Sequence, residues 1–242
     1  MSTTPREVMH TRACNGFFVT GTDTGVGKTR IACALLHALA SDGSSTIGMK
    51  PVAAGAQRVG GALVNDDVTA LRAASSIAAP EALVNPYCFA PAVAPHIAAA
   101  EAGVTLDPAR IKSAFLELSA LADWVVVEGA GGFCVPLGPR FGMDDLALEL
   151  GLPVVLVVGM RLGCINHALL TARAVRAVGL TLAGWVANHV DPGLEAADEN
   201  VDALSGRLGA PLLARFAYAP DTDPKALGSA FPIARLRSAS MR

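Results

Sequence analysis

Long apolar runs, paired cysteines and one-sided charge are all missing from this chain of 242 residues. Hydrophobic residues make up 52% of it, which raises the possibility of a membrane protein. A bilayer span needs about 18 or more consecutive apolar residues. The most apolar run, residues 153–158, stops at Gly159, and residues 31–40 are short and carry His37. A membrane protein is therefore not expected, and neither is disorder, because apolar surface is ample for a core. The five cysteines are scattered and odd in number, with no CxxC pair, so no zinc site or disulfide framework is expected. Charged residues are only 17%, and Lys+Arg (19) nearly balances Asp+Glu (21). No basic stripe points to nucleic acid, and no acidic block forms a tail. The first fourteen residues hold Arg6, Glu7 and Arg12 without an apolar core, unlike a secretory signal. A cytoplasmic protein is the expectation.

What is present is an alternation. Residues 16–20, 46–51, 124–128, 153–159, 181–188 and 212–215 read as strands. Residues 28–40, 66–75, 107–122, 165–178 and 195–208 read as helices, with Asp66 and Asp107 as caps and Pro108 in the first turn of its helix. The Pro-rich passage 80–95 cannot be one regular helix. Strands alternating with helices imply βαβ units, hence a single α/β domain with a mostly parallel sheet and helices on both faces. We expect residues 1–15 to be an extension, 16–220 the catalytic domain and 221–242 a loosely packed tail.

Between the first strand and the first helix lies Gly21-Thr-Asp-Thr-Gly-Val-Gly-Lys28-Thr29. Such glycines let backbone N–H groups face phosphate oxygens, and the helix start adds a positive dipole. Gly25, Val26 and Gly27 would cradle the phosphates, Lys28 would reach the outer ones, and Thr29 would place its hydroxyl on Mg²⁺. A tight turn with a solvated lysine is the plainer alternative; strand, loop and helix in this order favour the phosphate loop. The usual first glycine falls at Thr22, so the loop is a variant. Partition-type ATPases of the superfamily carry a lysine five residues before the loop lysine; Asp23 stands there. An amidotransferase-type ligase would need a glutaminase domain for which there is no room.

Four more segments follow in order: Lys50-Pro51-Val52, Glu128-Gly129-Ala130-Gly131-Gly132, Gly163-Cys164-Ile165-Asn166-His167 and Gly184-Trp185-Val186-Ala187-Asn188. With the phosphate loop, and with Asn85-Pro86-Tyr87 and Ala94-Pro95-His96-Ile97, they resemble the dethiobiotin synthetases over residues 17–218. Each of the five main motifs sits at a strand's carboxyl end, where open α/β sheets bind ligands.

The resemblance implies a P-loop NTPase fold, with ATP and Mg²⁺ as cofactors and 7,8-diaminononanoate and CO₂ as substrates. It implies Lys28, Lys50 and Thr24 as catalytic groups, Lys50 also meeting the substrate carbamate, and Thr29, Asp67 and Glu128 as metal ligands; the residues alone do not separate Asp66 from Asp67, one as ligand and the other as helix cap. It implies a nucleotide site of residues 25–29, Glu128, Gly129, Ala130, Gly131, Gly132 and Asn188, the last reading adenine. The substrate's remote carboxylate would meet Gly163, Cys164, Ile165 and Asn166, supplied by the neighbouring subunit of a homodimer; His167 carries no catalytic role. Three departures stand out: Gly25 where the family often has Glu, Ala54 where a Ser can occur, and Phe216-Ala217-Tyr218 in place of Pro-Trp-Leu. The runner-up reading is a non-biosynthetic ATPase regulator of the partition-protein type.

Overall fold

A computed structural model describes residues 15–240. Six strands form one wholly parallel sheet: β1 (Asn15–Gly21), β2 (Thr46–Met49), β3 (Trp124–Gly132), β4 (Val154–Met160), β5 (Leu182–His189) and β6 (Leu212–Phe216). Their order across the sheet is β6-β5-β4-β1-β3-β2. Each strand is nearly all apolar because both faces are covered. The two-residue period divides the side chains between two cores. Phe18, Val125, Val127, Leu156 and Val158 enter one, and Phe17, Val19, Val126, Val155 and Val157 the other.

Two of the longer helices begin at side-chain caps. The phosphate loop leads into α1 (Lys28–Ala40). α2 (Asp66–Ala74) is capped by Asn65, whose Oδ1 accepts from Asp67 N and Val68 N at 3.1 and 3.3 Å. The cap expected at Asp66 is therefore one residue earlier, and Asp66 is left exposed. The Pro-rich passage breaks into two short helices, α3 (Glu81–Val84) and α4 (Pro95–Glu101). α5 (Pro108–Leu121) has the expected cap, with Asp107 Oδ1 accepting from Ala109 N at 2.9 Å. α6 (Met143–Leu150), α7 (Cys164–Ala177) and α8 (Ala197–Ser205) complete the alternation.

Two expectations are corrected. Residues 46–51 are not one strand: β2 ends at Met49, Lys50 and Pro51 leave the sheet, and Val52–Ala53 pairs instead with Tyr87–Cys88. The segment after Asp221 is not loose. It forms α9 (Pro224–Gly228) and α10 (Ile233–Ser240). Gly228 sits so close to α1 that a Cβ there would meet Ala34 O at 3.1 Å. Phe231 packs on Phe216, Leu236 is fully buried, and Arg237 lies over Trp124 at 5.8 Å. These residues close one face of the sheet. The expected extension 1–15 lies outside the described residues except Asn15. No described helix is long and apolar enough to cross a membrane.

Candidate active site

The carboxyl ends of β1, β2 and β3 meet at one edge of the sheet, and Lys28, Lys50, Asp67 and Glu128 gather there. The loop from β1 to α1 turns through Gly25 (φ +74) and Gly27 (φ +87). Gly27 needs this left-handed backbone and also the absence of a side chain, since a Cβ would lie 2.4 Å from Asn188 Nδ2. Lys28, the first residue of α1, is 7% exposed and donates to Asp23 O at 2.8 Å. Burial and the nearby Lys50 charge lower its pKa to about 8, against the pull of Glu128 and Asp67.

Lys50 is held from two sides. Its N–H donates to Val84 O at 2.8 Å, and its carbonyl accepts from Asn85 Nδ2 at 2.6 Å. Asn85 also binds Tyr87 O, so the Asn85-Pro86-Tyr87 motif sets where Lys50 leaves the sheet. Lys50 Nζ lies 2.8 Å from Asp67 Oδ2 and 2.6 Å from Glu128 Oε1. With Lys50 4% and Glu128 1% exposed, this pair is desolvated rather than a surface contact. Removing either partner would strand a buried charge, which costs far more than losing an exposed pair. Desolvation pulls the Lys50 pKa down, but Glu128 and Asp67 together outweigh it and the net direction is up. Desolvation opposes ionisation of Asp67 too, but Lys50 and Thr29 hold that carboxyl below its usual range. Burial, aided by the Asp67 charge, pushes Glu128 upward despite Lys50.

The oxygen set suits a hard cation. Thr29 Oγ1 lies 2.7 Å from Asp67 Oδ1 and 2.9 Å from Glu128 Oε1. A hydroxyl has one proton, so it cannot donate to both at once. Glu128 Oε2 is buried without a hydrogen-bond partner. Two carboxylates and a hydroxyl, with water and phosphate oxygens to complete the shell, match what Mg²⁺ takes from protein. Among the described residues no group of three or more His, Cys, Asp or Glu gathers as a metal cluster.

These side chains floor a cavity of about 680 Å³, with Thr24, Gly25, Gly27, Ala130 and Gly131 also on its wall. Ala54 lines it with a bare methyl. Other expected site residues stand elsewhere. Val26 is fully buried, its side chain against Gly21 and Gly159, so only its backbone is available to a phosphate. Gly129 faces the Phe18 ring, and Gly132 continues β3 beside Gly21; neither lines the cavity. Asn188 is behind the loop, where Nδ2 donates to Val26 O at 2.8 Å and Oδ1 is buried without a partner. One edge of its amide is thus spent on bracing the loop. Gly163, Cys164, Ile165 and Asn166 do not line this cavity either. They open α7 after Gly163 (φ +92), with Cys164 buried and Asn166 exposed.

Sequence reasoning missed Asn65, whose cap fixes α2 and hence Asp67, and whose Nδ2 also reaches Ala54 O at 3.2 Å. It assigned no role to Asn85. A polar residue directly before an acidic pair or a proline is the signal that was available in both cases.

Comparison with known proteins bears on the chemistry. The AAA-domain family profile matches residues 15–226. The chain is 60% identical to the ATP-dependent dethiobiotin synthetase BioD of Aromatoleum aromaticum over 86% of this chain and 92% of that one. It is 54% identical to the BioD of Nitrosospira multiformis over 93% and 98%. Among solved structures, a ParA family ATPase from Chlorobium tepidum superposes with a TM-score of 0.50 at 16% identity, covering 93% and 94% of the two chains. The septum site-determining protein MinD of Pyrococcus horikoshii gives 0.52 at 15%, over 92% and 89%. At those identities the structural likeness speaks for the fold alone.

Proposed function

The chain belongs to the ATP-dependent dethiobiotin synthetase family, and from that premise we propose how its residues divide the work. The reaction converts 7,8-diaminononanoate, CO₂ and ATP to dethiobiotin, ADP and phosphate, a step of biotin biosynthesis. One amine adds to CO₂ and loses a proton, giving a carbamate. A carbamate oxygen takes the γ-phosphoryl group and ADP leaves. The second amine attacks the carbonyl carbon, loses a proton and expels phosphate as the ureido ring closes.

Both reacting partners are anionic, so the site must neutralise and align them. The observation that carries this reading is the convergence of Lys28, Thr29, Lys50, Asp67 and Glu128 on one cavity beside the phosphate loop. Lys28 binds the phosphates from the start of α1. Lys50 faces the carbamate and the γ-phosphate, and Asp67 and Glu128 keep it protonated. Thr24 on the wall meets the substrate amine. Thr29, Asp67 and Glu128 would hold Mg²⁺, whose charge on the phosphate oxygens lowers the cost of bringing two anions together. The backbone of residues 25–27, Ala130 and Gly131 is bare enough for close approach. Asn188 Oδ1, buried without a partner, would accept from an adenine amino group once the base lies against it.

Residues 163–166, which open α7 with their backbone N–H groups at its start, would act on the substrate's remote carboxylate from the neighbouring subunit of a homodimer. A cytoplasmic location fits a chain with no described membrane-crossing helix. The partition-type reading is not favoured, because Asp23 occupies the position of that group's extra lysine. Purified protein given the diamine, bicarbonate and MgATP should yield dethiobiotin by mass spectrometry, and the Lys28→Ala variant should yield none. ATP hydrolysis indifferent to the diamine would instead favour a nucleotide-driven regulator.

A further inference from the structure

Asp23 makes contacts that run in two directions. Inside the phosphate loop, its carbonyl accepts from Lys28 Nζ at 2.8 Å and its Oδ1 accepts from Thr24 N at 2.7 Å. Outward, its Oδ2 accepts from Arg161 Nη2 at 2.5 Å. Arg161 is the first residue after β4, two before the Gly163 that opens α7. The neighbouring loop residue is tied to the same strand end. Thr22 N donates to Val157 O at 3.0 Å, and Gly159 N donates to Thr22 Oγ1 at 3.3 Å. Gly159 itself is required there, since a Cβ would fall 2.6 Å from Val26. The phosphate loop and the exit of β4 are therefore strapped together. Arg161–Asp23 is the one ion pair, among the described residues, that joins them.

We propose that Asp23 and Arg161 are positioning residues that couple nucleotide binding at the phosphate loop to substrate binding at the start of α7. The proposal rests on the reading above that residues 163–166 receive the diamine's remote carboxylate. Asp23 is where the two sites meet. Its carbonyl holds the ammonium that must also serve the phosphates, and its carboxylate holds the arginine that leads into the helix. A phosphate oxygen that shares Lys28 shifts the balance of contacts at Asp23, and Arg161 carries that shift to Gly163. Linkage makes the effect reciprocal, so bound diamine favours nucleotide by the same factor.

Both side chains are about half exposed, at 40% and 50%, so the expected coupling is modest. An exposed ion pair at the upper end of the usual range corresponds to a change of about three- to five-fold in affinity.

The test is calorimetric titration of diaminononanoate with and without saturating MgADP. The proteins compared are the unmodified protein, Asp23→Asn, Arg161→Gln, Arg161→Lys and the Asp23→Asn/Arg161→Gln double variant. The unmodified protein should bind diamine several-fold more tightly with MgADP present. Either neutralised single variant should bring that ratio close to one, the double variant should do no more, and Arg161→Lys should restore part of it. In turnover, Arg161→Gln should raise KM for the diamine while kcat moves little, a split that a general loss of folding would not give. An undiminished ratio in Arg161→Gln, or single-variant effects that simply add, would overturn the proposal while leaving dethiobiotin formation intact. Unmodified protein that forms no dethiobiotin would overturn both the proposal and the reading beneath it.

Discussion

Lys28 predicts that nucleotide binding takes up a proton at alkaline pH. Burial and Lys50 place its pKa at about 8, well below that of a free lysine. The phosphates of a bound nucleotide are strongly anionic and favour the charged ammonium, so binding raises that pKa. The sign follows: affinity is highest below about 8 and falls as pH rises through it. Between pH 7 and pH 9 the protonated fraction of the unliganded enzyme drops from about nine-tenths to about one-tenth. The Kd for ADP should therefore rise about tenfold, equivalent to ~1.4 kcal/mol. Ionisation of a terminal phosphate lies near pH 6 and does not interfere. Calorimetry in two buffers of different ionisation enthalpy should find nearly one proton taken up per ADP at pH 9, and little uptake at pH 7. Lys28→Met should bind weakly and show no such rise. A Kd that stays within about twofold over the window, with no proton uptake, would refute the assignment of Lys28 to the phosphates.

Three further outcomes follow from the packing. Lys50→Met leaves Glu128 and Asp67 without their cation and should cost about 3–5 kcal/mol in urea unfolding, with added Mg²⁺ stabilising this variant more than the unmodified protein. Gly27→Ala forces a side chain into left-handed backbone and onto Asn188; it should abolish measurable MgADP binding, and adding Asn188→Ala should not restore it fully because the backbone strain of about 1–3 kcal/mol remains. Phe231→Ala should destabilise the fold by about 3–5 kcal/mol, as for a buried core aromatic, whereas a loose terminal segment would tolerate it.

The phosphate loop, Lys50 and Glu128 were legible in the sequence because each comes directly after a short, mostly apolar β-type run. Such a strand can end only at the sheet's edge, so a charge there has few places to go. Asp67 was harder to read. Asn65, Asp66 and Asp67 can all cap a helix, and which one does is decided by hydrogen bonds from Asp67 N and Val68 N to Asn65. That choice of helix start turns Asp67, and not Asp66, toward Thr29 and Lys50. The strand expected to end at Glu128 runs through to Gly132, and a Cβ on Gly129 would press on the Phe18 ring at 3.2 Å. The carboxyl-terminal segment looked polar because its apolar residues are few. Phe231 meets Phe216 on β6, and α10, which carries Leu236, lies against β1 and β5, and no local pattern records such contacts. α6 was missed for a similar reason. It starts without a Ser or Asn cap, and Asp145 closes its first turn by accepting from Gly142 N at 2.8 Å.

In the proposed function one cavity joins phosphate, carbamate and amine chemistry, and isotope-traced turnover, with ¹³C-bicarbonate, the diamine and MgATP given to the purified protein, tests this. The product should be dethiobiotin carrying one ¹³C at its ureido carbon, with one ADP formed per product and no ADP formed when the diamine is withheld. Unlabelled product, or ADP release that ignores the diamine, would contradict it.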